Sequence, residues 1–381
     1  MHSHVRCCPV CGEKDYDVIF HRDFSSLIEI VPFERYNVCL CNICGMAYAD
    51  FISNSNLNEY YEEMSKYEII SLEKLELLSK QKNYEVIKNL FLKMNVPTEA
   101  KILDIGCGSG ILLYKLKQVG YCNLKGLDPS EHCRNFALKF LDIDIMSGEI
   151  GDEFEEKYDV ILLEAVLEHI VDVDGAIKYC KKMLNDNGIL YIGVPNIADF
   201  SDDLYQEFSV EHINFFSKIS LKNCLSKNGF SKIVLDETHE CKEIFSCWKS
   251  NKKITQQSIV LDRYSRNTLN KYIYDSSLLL KNLKDKIKNI DYKFILWGVG
   301  THTATLFSMA NLKMDNIVVF VDSNQNYHNK NLSGKTIISP LELEKYPDYP
   351  ILISSKNAQR DIQNYIKEKG LPNKIFTLYE V

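Results

Sequence analysis

The sequence predicts an α/β protein in which two domains with largely parallel sheets follow a small cysteine-rich module. Three observations support this prediction. Six of the thirteen cysteines lie within the first 44 residues. Strand-like and helix-like segments alternate between residues 101 and 194, and the alternation begins again at residue 294. Strands that alternate with helices are typical of a mostly parallel sheet covered on both faces.

These patterns divide the 381 residues into four segments, whereas length alone suggests roughly two to three domains. Long helices are predicted over residues 57–95 and from about 259 to 290, where apolar residues recur at helical spacing. The predicted segments are a cysteine-rich module (1–57), a first α/β domain with leading helices (58–240), a helical linker (241–290) and a second α/β domain (291–381).

Composition and charge exclude several classes of protein. A net charge of -7 argues against a general nucleic-acid binder, which needs a basic face. No apolar run approaches the ~20 residues that span a bilayer, and the first residues lack the apolar stretch of a secretory signal. We therefore expect a cytoplasmic protein with no membrane partner, as a monomer or homodimer. Cysteines crowded at the front favour a metal site in a reducing compartment over a disulfide scaffold.

Two C-x2-C pairs about thirty residues apart predict a structural zinc site in the front module. Each pair precedes a glycine and can bend so that both sulfurs meet one ion, and four thiolates suit tetrahedral Zn²⁺. The predicted ligands are Cys8, Cys11, Cys41 and Cys44. The alternatives are unpaired buried cysteines or a DNA-reading finger, although no basic recognition helix accompanies the pairs.

A glycine-rich turn follows the first predicted strand of the 58–240 segment. Gly106, Gly108 and Gly110 follow Asp104 in the spacing G-x-G-x-G, and the next strand ends at Asp128. Glycines let a backbone turn sharply and approach a ligand closely. This arrangement resembles the first motif of the class I methyltransferases, which use S-adenosylmethionine. The resemblance implies that Asp104 and the glycines hold the methionine and ribose end of this cofactor, and that Asp128 meets the ribose diol. NAD binding and a purely structural Asp104 are the alternatives.

The segment from Tyr158 to His169 resembles the fourth strand and following turn of the same enzymes. In that family the histidine-containing stretch lies beside the bound cofactor, which implies cofactor contacts for Glu164 and His169. A capping or packing role for His169 is the alternative.

Glu211 and His212 precede two aromatic residues and form a candidate proton-transfer pair. The pKa of an imidazole suits a general base near neutral pH, and a carboxylate can orient the ring. Methyl transfer from an activated sulfonium needs little else beyond alignment and removal of one proton. In the alternative interpretation, His212 caps a helix that begins near Ser217 and Glu211 is solvated.

A second strand–glycine–helix turn opens the 291–381 segment at Gly298, Gly300 and Thr301, and the next strand ends at Asp322. Backbone amides at such a turn suit a diphosphate, and the aspartate suits a sugar or ribose hydroxyl. These residues are candidates for binding the nucleotide of an acceptor. A domain kept for packing or oligomer contacts is the alternative.

The whole layout resembles the sugar C-methyltransferases, with a zinc-binding module, a class I methyltransferase (Rossmann-like) core and a C-terminal Rossmann-like domain. The resemblance implies a nucleotide-linked 4-keto-deoxyhexose as acceptor and His212 as the base that removes the proton beside the ketone. It also matches Tyr67 to an active-site tyrosine of that family, whereas Ser209 stands where the family has tyrosine. Carbon methylation is therefore favoured only slightly over O-methylation of a sugar or polysaccharide, and a non-catalytic binding adaptor is the remaining alternative.

Overall fold

The computed structural model describes residues 6–24, 34–52, 82–152, 156–201, 203–235, 243–250 and 258–380. The chain divides into two compact units, each built from several segments. The first unit comprises Met1–Arg22, Tyr36–Phe200 and Val210–Leu269. The second comprises Asp23–Arg35, Ser201–Ser209 and Asn270–Val381.

Strands and helices alternate through most of the described chain. The strands are β1 (Tyr16–Asp23), β2 (Arg35–Cys41), β3 (Ala47–Ala49), β4 (Lys101–Ile105), β5 (Asn123–Asp128), β6 (Ile145–Ser147), β7 (Tyr158–Glu164), β8 (Leu184–Pro195), β9 (Asn214–Phe215), β10 (Phe230–Leu235), β11 (Glu243–Ser250), β12 (Phe294–Trp297), β13 (Ile317–Val321), β14 (Asn331–Leu332), β15 (Lys335–Ile338), β16 (Ile351–Ile353) and β17 (Ile375–Thr377). The α-helices are α1 (Lys82–Lys93), α2 (Ile111–Gln118), α3 (Glu131–Phe136), α4 (Val173–Met183), α5 (Lys218–Lys227), α6 (Tyr264–Lys288), α7 (Thr301–Ala310) and α8 (Gln359–Glu368).

A seven-stranded sheet with the order β10-β11-β8-β7-β4-β5-β6 forms the centre of the first unit. The five strands from β8 to β6 are parallel to one another. Apolar side chains of β4 and β7, such as Leu103 and Ile161, are fully buried. The strand order runs in opposite directions on the two sides of β4, and ligands of such sheets bind outside the carboxyl ends of the strands at that switch point. The predicted mixed α/β fold with a Rossmann-like core is confirmed.

One strand of this sheet lies where the sequence predicts a helical linker. β11 pairs antiparallel with β8 over seven residues, from Glu243 to Lys249. Its residues Ile244, Phe245 and Trp248 are buried, and this burial explains why the segment adopts a strand rather than a solvated helix. The long helix predicted from about 259 to 290 is present as α6.

A small four-stranded sheet, in the order β1-β2-β3-β9, carries the cysteine pairs. Its last strand comes from a distant part of the sequence, because Ala47 pairs with Phe215 and Tyr48 with Asn214. The segment that follows Glu211 and His212 is therefore held by the front module. The two-residue strand β9 has no local sequence pattern that predicts its pairing with β3.

The second unit contains a six-stranded sheet with the order β14-β15-β13-β12-β16-β17. Its five strands from β15 to β17 are parallel, and β14 pairs antiparallel with β15. The strand order again changes direction at one strand, here β12. Within the described residues, no helix is both long enough and apolar enough to cross a membrane.

Candidate active site

The glycine turn after β4 has a backbone that other residues adopt only with strain. Gly106, Gly108 and Gly110 have φ values of 70°, 51° and 75°, and Gly110 is the N-cap of α2. A Cβ on Gly106 would lie 2.7 Å from a methyl carbon of Val166, whereas a Cβ on Gly108 would have no atom within 4 Å. The turn therefore packs against Val166 at Gly106 and is open at Gly108. An open backbone at this position allows a ligand to approach closely.

Asp128 at the end of β5 fixes this turn. Its Oδ2 accepts a hydrogen bond from the Gly108 amide at 2.8 Å, and its Oδ1 accepts one from the Ser130 amide at 2.9 Å. The side chain is nearly buried, and burial raises the pKa of its carboxyl although the two amides oppose that shift. Each oxygen retains a second lone pair, so the carboxylate can hold the turn and still accept ligand hydroxyls.

Two further carboxylates lie at the same edge of the sheet. Asp104 is buried, and burial followed by the charges of Glu164 and Asp128 raises its pKa well above the ordinary value. Glu164 accepts a hydrogen bond from the Tyr191 hydroxyl at 2.6 Å. A Cβ on Gly193 would lie 2.0 Å from Glu164 Oε2, so this glycine makes room for the carboxylate. Burial and mutual repulsion therefore disfavour the ionised forms of these carboxyl groups, and a cationic ligand at this edge would favour them.

Two imidazoles lie together after β7. His169 ends a short 3₁₀ turn, Leu167–His169, and its ring centroid is 5.0 Å from that of His212 in an edge-to-face arrangement. His169 Nδ1 lies 3.0 Å from the backbone oxygen of Glu211, an acceptor, so Nδ1 carries the proton and Nε2 of the neutral ring does not. The two histidines that the sequence singles out are brought together, although they are distant in sequence.

Glu168 was not singled out by sequence reasoning, yet it belongs to this cluster. Its Oε1 lies 3.9 Å from His169 Nε2, and its side chain is 1% exposed. Burial, followed by the charges of Glu164 and Glu243, raises its pKa well above the ordinary value. Its position directly before His169 was the available signal, because a carboxylate can accept a hydrogen bond from an imidazole.

Backbone and side-chain hydrogen bonds join the two segments that carry the imidazoles. The Ile213 amide donates to the Glu168 carbonyl oxygen at 2.8 Å. Asn214 Nδ2 donates to the Leu167 carbonyl oxygen at 2.7 Å, and Arg6 Nη2 donates to Asn214 Oδ1 at 2.7 Å. Arg6 and Asn214 were also missed, since their roles depend on contacts across more than 40 residues of sequence.

The capping interpretation of His212 is wrong. Ser217 is itself the N-cap of α5, and its side chain accepts from the Ser220 amide in a capping box. Glu211 is nearly buried, not solvated, and its backbone carbonyl binds the other imidazole, His169. The role of Glu211 as the residue that orients His212 stays a prediction. Tyr67, the third predicted catalytic residue, lies outside the described residues.

The four predicted zinc ligands form one cluster. The Sγ atoms of Cys8 and Cys44 are 3.5 Å apart, and those of Cys11 and Cys41 are 3.4 Å apart. All four sulfurs lie within 4.8 Å of one another. Tetrahedral Zn²⁺ with Zn–S distances of about 2.3 Å separates its sulfurs by about 3.8 Å, so the four side chains fit this ion.

The predicted substrate-binding residues of the second unit also lie at one turn. Gly298 has a φ of 112°, and the Val299 amide donates to Asp322 Oδ2 at 3.1 Å. Gly300 is the N-cap of α7, and the Thr301 hydroxyl donates to Gln206 Oε1 at 3.2 Å. The turn and the aspartate thus meet as the sequence predicts, and their ligand stays a prediction.

Comparison with known families identifies the central domain. Residues 70–235 match the model of a methyltransferase domain, and residues 290–376 match a family described as C2185-like, N-terminal. Residues 70–235 are thus a methyltransferase domain, as the glycine turn predicts, and this match supports S-adenosylmethionine as the cofactor.

Curated relatives match part of the chain. The chain is 31% identical to a ubiquinone biosynthesis O-methyltransferase of Pelagibacter ubique over 30% of this chain and 55% of that protein. It is 29% identical to the human mitochondrial ubiquinone biosynthesis O-methyltransferase over 34% of this chain and 41% of that protein. The chain spans about half the length of the curated relatives it matches.

Among solved structures, the magnesium protoporphyrin IX methyltransferase of Synechocystis PCC 6803 with bound S-adenosylmethionine is similar in part. It superposes with a TM-score of 0.40 at 15% identity, over 52% of this chain and 96% of that one.

Proposed function

We propose that this protein is a methyltransferase that transfers a methyl group from S-adenosylmethionine to a nucleotide-linked or carbohydrate-derived acceptor, with His212 as general base. The observation that carries the proposal is the imidazole pair of His169 and His212 beside the switch point that bears the glycine turn. A methyl donor and a base must face one acceptor from adjacent positions, because the methyl group and the proton move at the same acceptor atom or its neighbour.

The residues of the turn would hold the cofactor. Gly108 leaves open space against the backbone, and Asp128 presents two carboxylate oxygens at the end of the neighbouring strand. A positively charged sulfonium at this edge would favour the ionised form of Asp104, which burial and the charges of Glu164 and Asp128 otherwise disfavour. When bound, S-adenosylmethionine supplies an already activated methyl group.

The proton leaves the acceptor to His212 in this proposal. An imidazole has an ordinary pKa of about 6.5, so its neutral form is available near pH 7. His169 is held by the Glu211 carbonyl at 3.0 Å, which keeps its ring edge against His212. His169 is thus a positioning residue, and His212 the residue that takes up the proton.

Carbon is the favoured acceptor atom because of the resemblance to the sugar C-methyltransferases. The turn at Gly298 and Gly300, with Asp322, would then hold the nucleotide of the acceptor. O-methylation is the second candidate, since the curated relatives are named as O-methyltransferases. An acceptor deuterated at the carbon beside its ketone would lose deuterium on C-methylation and retain it on O-methylation.

We also propose that Cys8, Cys11, Cys41 and Cys44 bind a structural zinc ion. Four protein ligands leave no open position on tetrahedral Zn²⁺. The ion would therefore have a structural role and stabilise the small sheet in which β3 pairs with β9. Metal analysis of the purified protein is expected to find about one zinc per chain. Absence of zinc from protein purified without chelator would contradict this part of the proposal.

A screen of nucleotide sugars with an isotopically labelled methyl donor tests the enzymatic proposal. Mass spectrometry would find the labelled product, and fragmentation would locate the methyl group. His212→Asn is expected to lower turnover at least about 100-fold, in the range of general-base catalysis, while S-adenosylhomocysteine binding stays unchanged. His132→Asn, at an exposed histidine of α3, is the matched control. Full activity of His212→Asn would reject the base.

A further inference from the structure

Glu168, His169 and His212 have a composition and spacing that methyl transfer alone does not require. Each offers one ligand atom, and the three atoms lie within 4.8 Å of one another. Among the described residues, this cluster and the four cysteines are the two groups with metal-ligand geometry. Two imidazoles and one carboxylate are a common ligand set for divalent transition-metal ions.

The carboxylate provides an independent sign of a ligand. Glu168 is 1% exposed, and its Oε2 has no hydrogen-bond partner among the described residues. A buried carboxylate oxygen without a partner is costly, and native proteins usually satisfy such an atom with a hydrogen bond or an ion. Its other oxygen, Oε1, lies 3.9 Å from His169 Nε2, so the carboxylate is directed toward the imidazoles.

The His169 ring is already oriented as a metal ligand. Its Nδ1 donates to the Glu211 carbonyl at 3.0 Å, which leaves the lone pair of the neutral ring on Nε2, the nitrogen nearest Glu168. Metal-binding histidines commonly donate their second nitrogen to a carbonyl in this way, because the bond fixes both tautomer and ring orientation. The ligand atoms of one ion lie about 3.0–3.5 Å apart. Small side-chain rotations that move these three atoms by about 1 Å would therefore bring them to the spacing that one ion requires.

We propose that Glu168, His169 and His212 bind a divalent transition-metal ion at the acceptor side of the active site, and that the bound ion inhibits methyl transfer. The inhibition rests on the proposed function, because one nitrogen lone pair of His212 cannot coordinate an ion and accept a proton. The binding site itself does not depend on that role. Removal of the ion by a chelator would restore activity.

Cobalt titration of the full-length protein tests the site. The cysteine cluster is first loaded with a single equivalent of zinc, so that the imidazole site stays available and Co²⁺ reports on it through weak visible bands without thiolate charge transfer. We expect one further Co²⁺ per chain, and affinity losses of about tenfold or more in Glu168→Gln and in His169→Asn. His132→Asn is expected to bind Co²⁺ as wild type does. Far-ultraviolet circular dichroism checks that each variant is folded.

The outcomes separate the two proposals. Absence of Co²⁺ binding to the zinc-loaded protein, or equal binding by wild type and both variants, would overturn the metal site. Loss of methyl transfer in His212→Asn would then still support the enzymatic proposal. Inhibition that is absent from Glu168→Gln at the same Co²⁺ concentration supports the regulatory role. Activation by Co²⁺ would overturn inhibition and the assignment of His212 as base, while leaving the site in place.

Discussion

Both units of this protein contain a glycine turn whose backbone amide donates to an aspartate, but the surroundings of the two turns differ. In the first, Asp128 accepts from the Gly108 amide at 2.8 Å and from the Ser130 amide at 2.9 Å. In the second, Asp322 accepts from the Val299 amide at 3.1 Å and from the Asn324 amide at 2.8 Å. Asp128 is the last residue of β5 and Asp322 directly follows β13, and each fixes the glycine turn that follows the first strand of its sheet.

The side chains around the two turns make the two sites chemically different. Beside the turn of the first unit lie the carboxylates of Asp104 and Glu164. Beside the turn of the second lie hydroxyls, since Thr303 and Ser354 are buried and their oxygens are 2.7 Å apart. A strand–glycine–aspartate pattern therefore predicts a ligand-binding turn, but the surrounding side chains determine which ligand charge it accepts.

The largest expected effect is a loss of cofactor affinity when Asp128, but not Asp322, is replaced. Asp128→Ala removes the acceptor of two turn amides and the proposed contacts to the ribose, so we expect S-adenosylhomocysteine affinity to fall about 100-fold. Asp322→Ala is the matched control and is expected to leave that affinity unchanged. Isothermal titration calorimetry measures both. Equal losses in the two variants would remove the distinction between the sites, and no loss in Asp128→Ala would move the ribose contact elsewhere.

Glycine substitutions compare the rigidity of the two turns. Gly106 has a φ of 70°, and an added Cβ would meet Val166 at 2.7 Å. We expect Gly106→Ala to destabilise its unit by about 2–4 kcal/mol, from left-handed strain and the clash. Gly300 has a φ of -75° with open space around an added Cβ, so Gly300→Ala is expected to be nearly neutral. Thermal unfolding measures the difference, and a neutral Gly106→Ala would contradict this account.

Much of the architecture was predictable because it depends on local patterns. Parallel strands with buried apolar runs and the turn glycines specify the first sheet from β4 to β8 and the turns after β4 and β12. Burial of β11 against β8 was not predictable, because a segment such as Glu243–Ser250 pairs with a partner about 50 residues away. Its alternating pattern includes charged ends that also suit a solvated linker.

The candidate site was predictable where its residues are consecutive and less so where they meet through the fold. Asp104 and the glycines lie in one stretch, and Asp128 follows at the end of the next strand. The contact between His169 and His212 depends on the β3–β9 pairing and on Asn214, which holds the two segments together. Neither feature has a local signature, so the sequence identified both imidazoles without predicting their contact.

The pH dependence of stability tests the difference in charge between the two turns. The raised pKa of Asp104 means that the folded protein binds its proton more tightly than the unfolded chain does. Its ionisation therefore costs stability as pH rises above the ordinary value of about 3.9. Asp104→Asn cannot ionise, so we expect its stability relative to wild type to be greater at pH 8 than at pH 4. Melting temperatures at both pH values measure this, and a difference that grows toward low pH would refute it.

The smallest expected effect concerns the opposite end of the first sheet, where carboxylates are paired rather than crowded. Glu156 lies 2.7 Å from Lys125 Nζ and 3.1 Å from Lys101 Nζ, and hydrogen bonds from Lys125 and then Lys101 lower its pKa to about 2. The resulting stability is present above the ordinary carboxyl pKa and is lost as pH falls through about 2. Because these side chains are about one-third exposed, Glu156→Gln is expected to cost at most about 0.5 kcal/mol at pH 7, and less at high salt. If salt did not reduce the loss of melting temperature in Glu156→Gln, Glu156 would act through packing rather than through its ion pairs. The two ends of the sheet would then not differ in the electrostatics of their carboxylates.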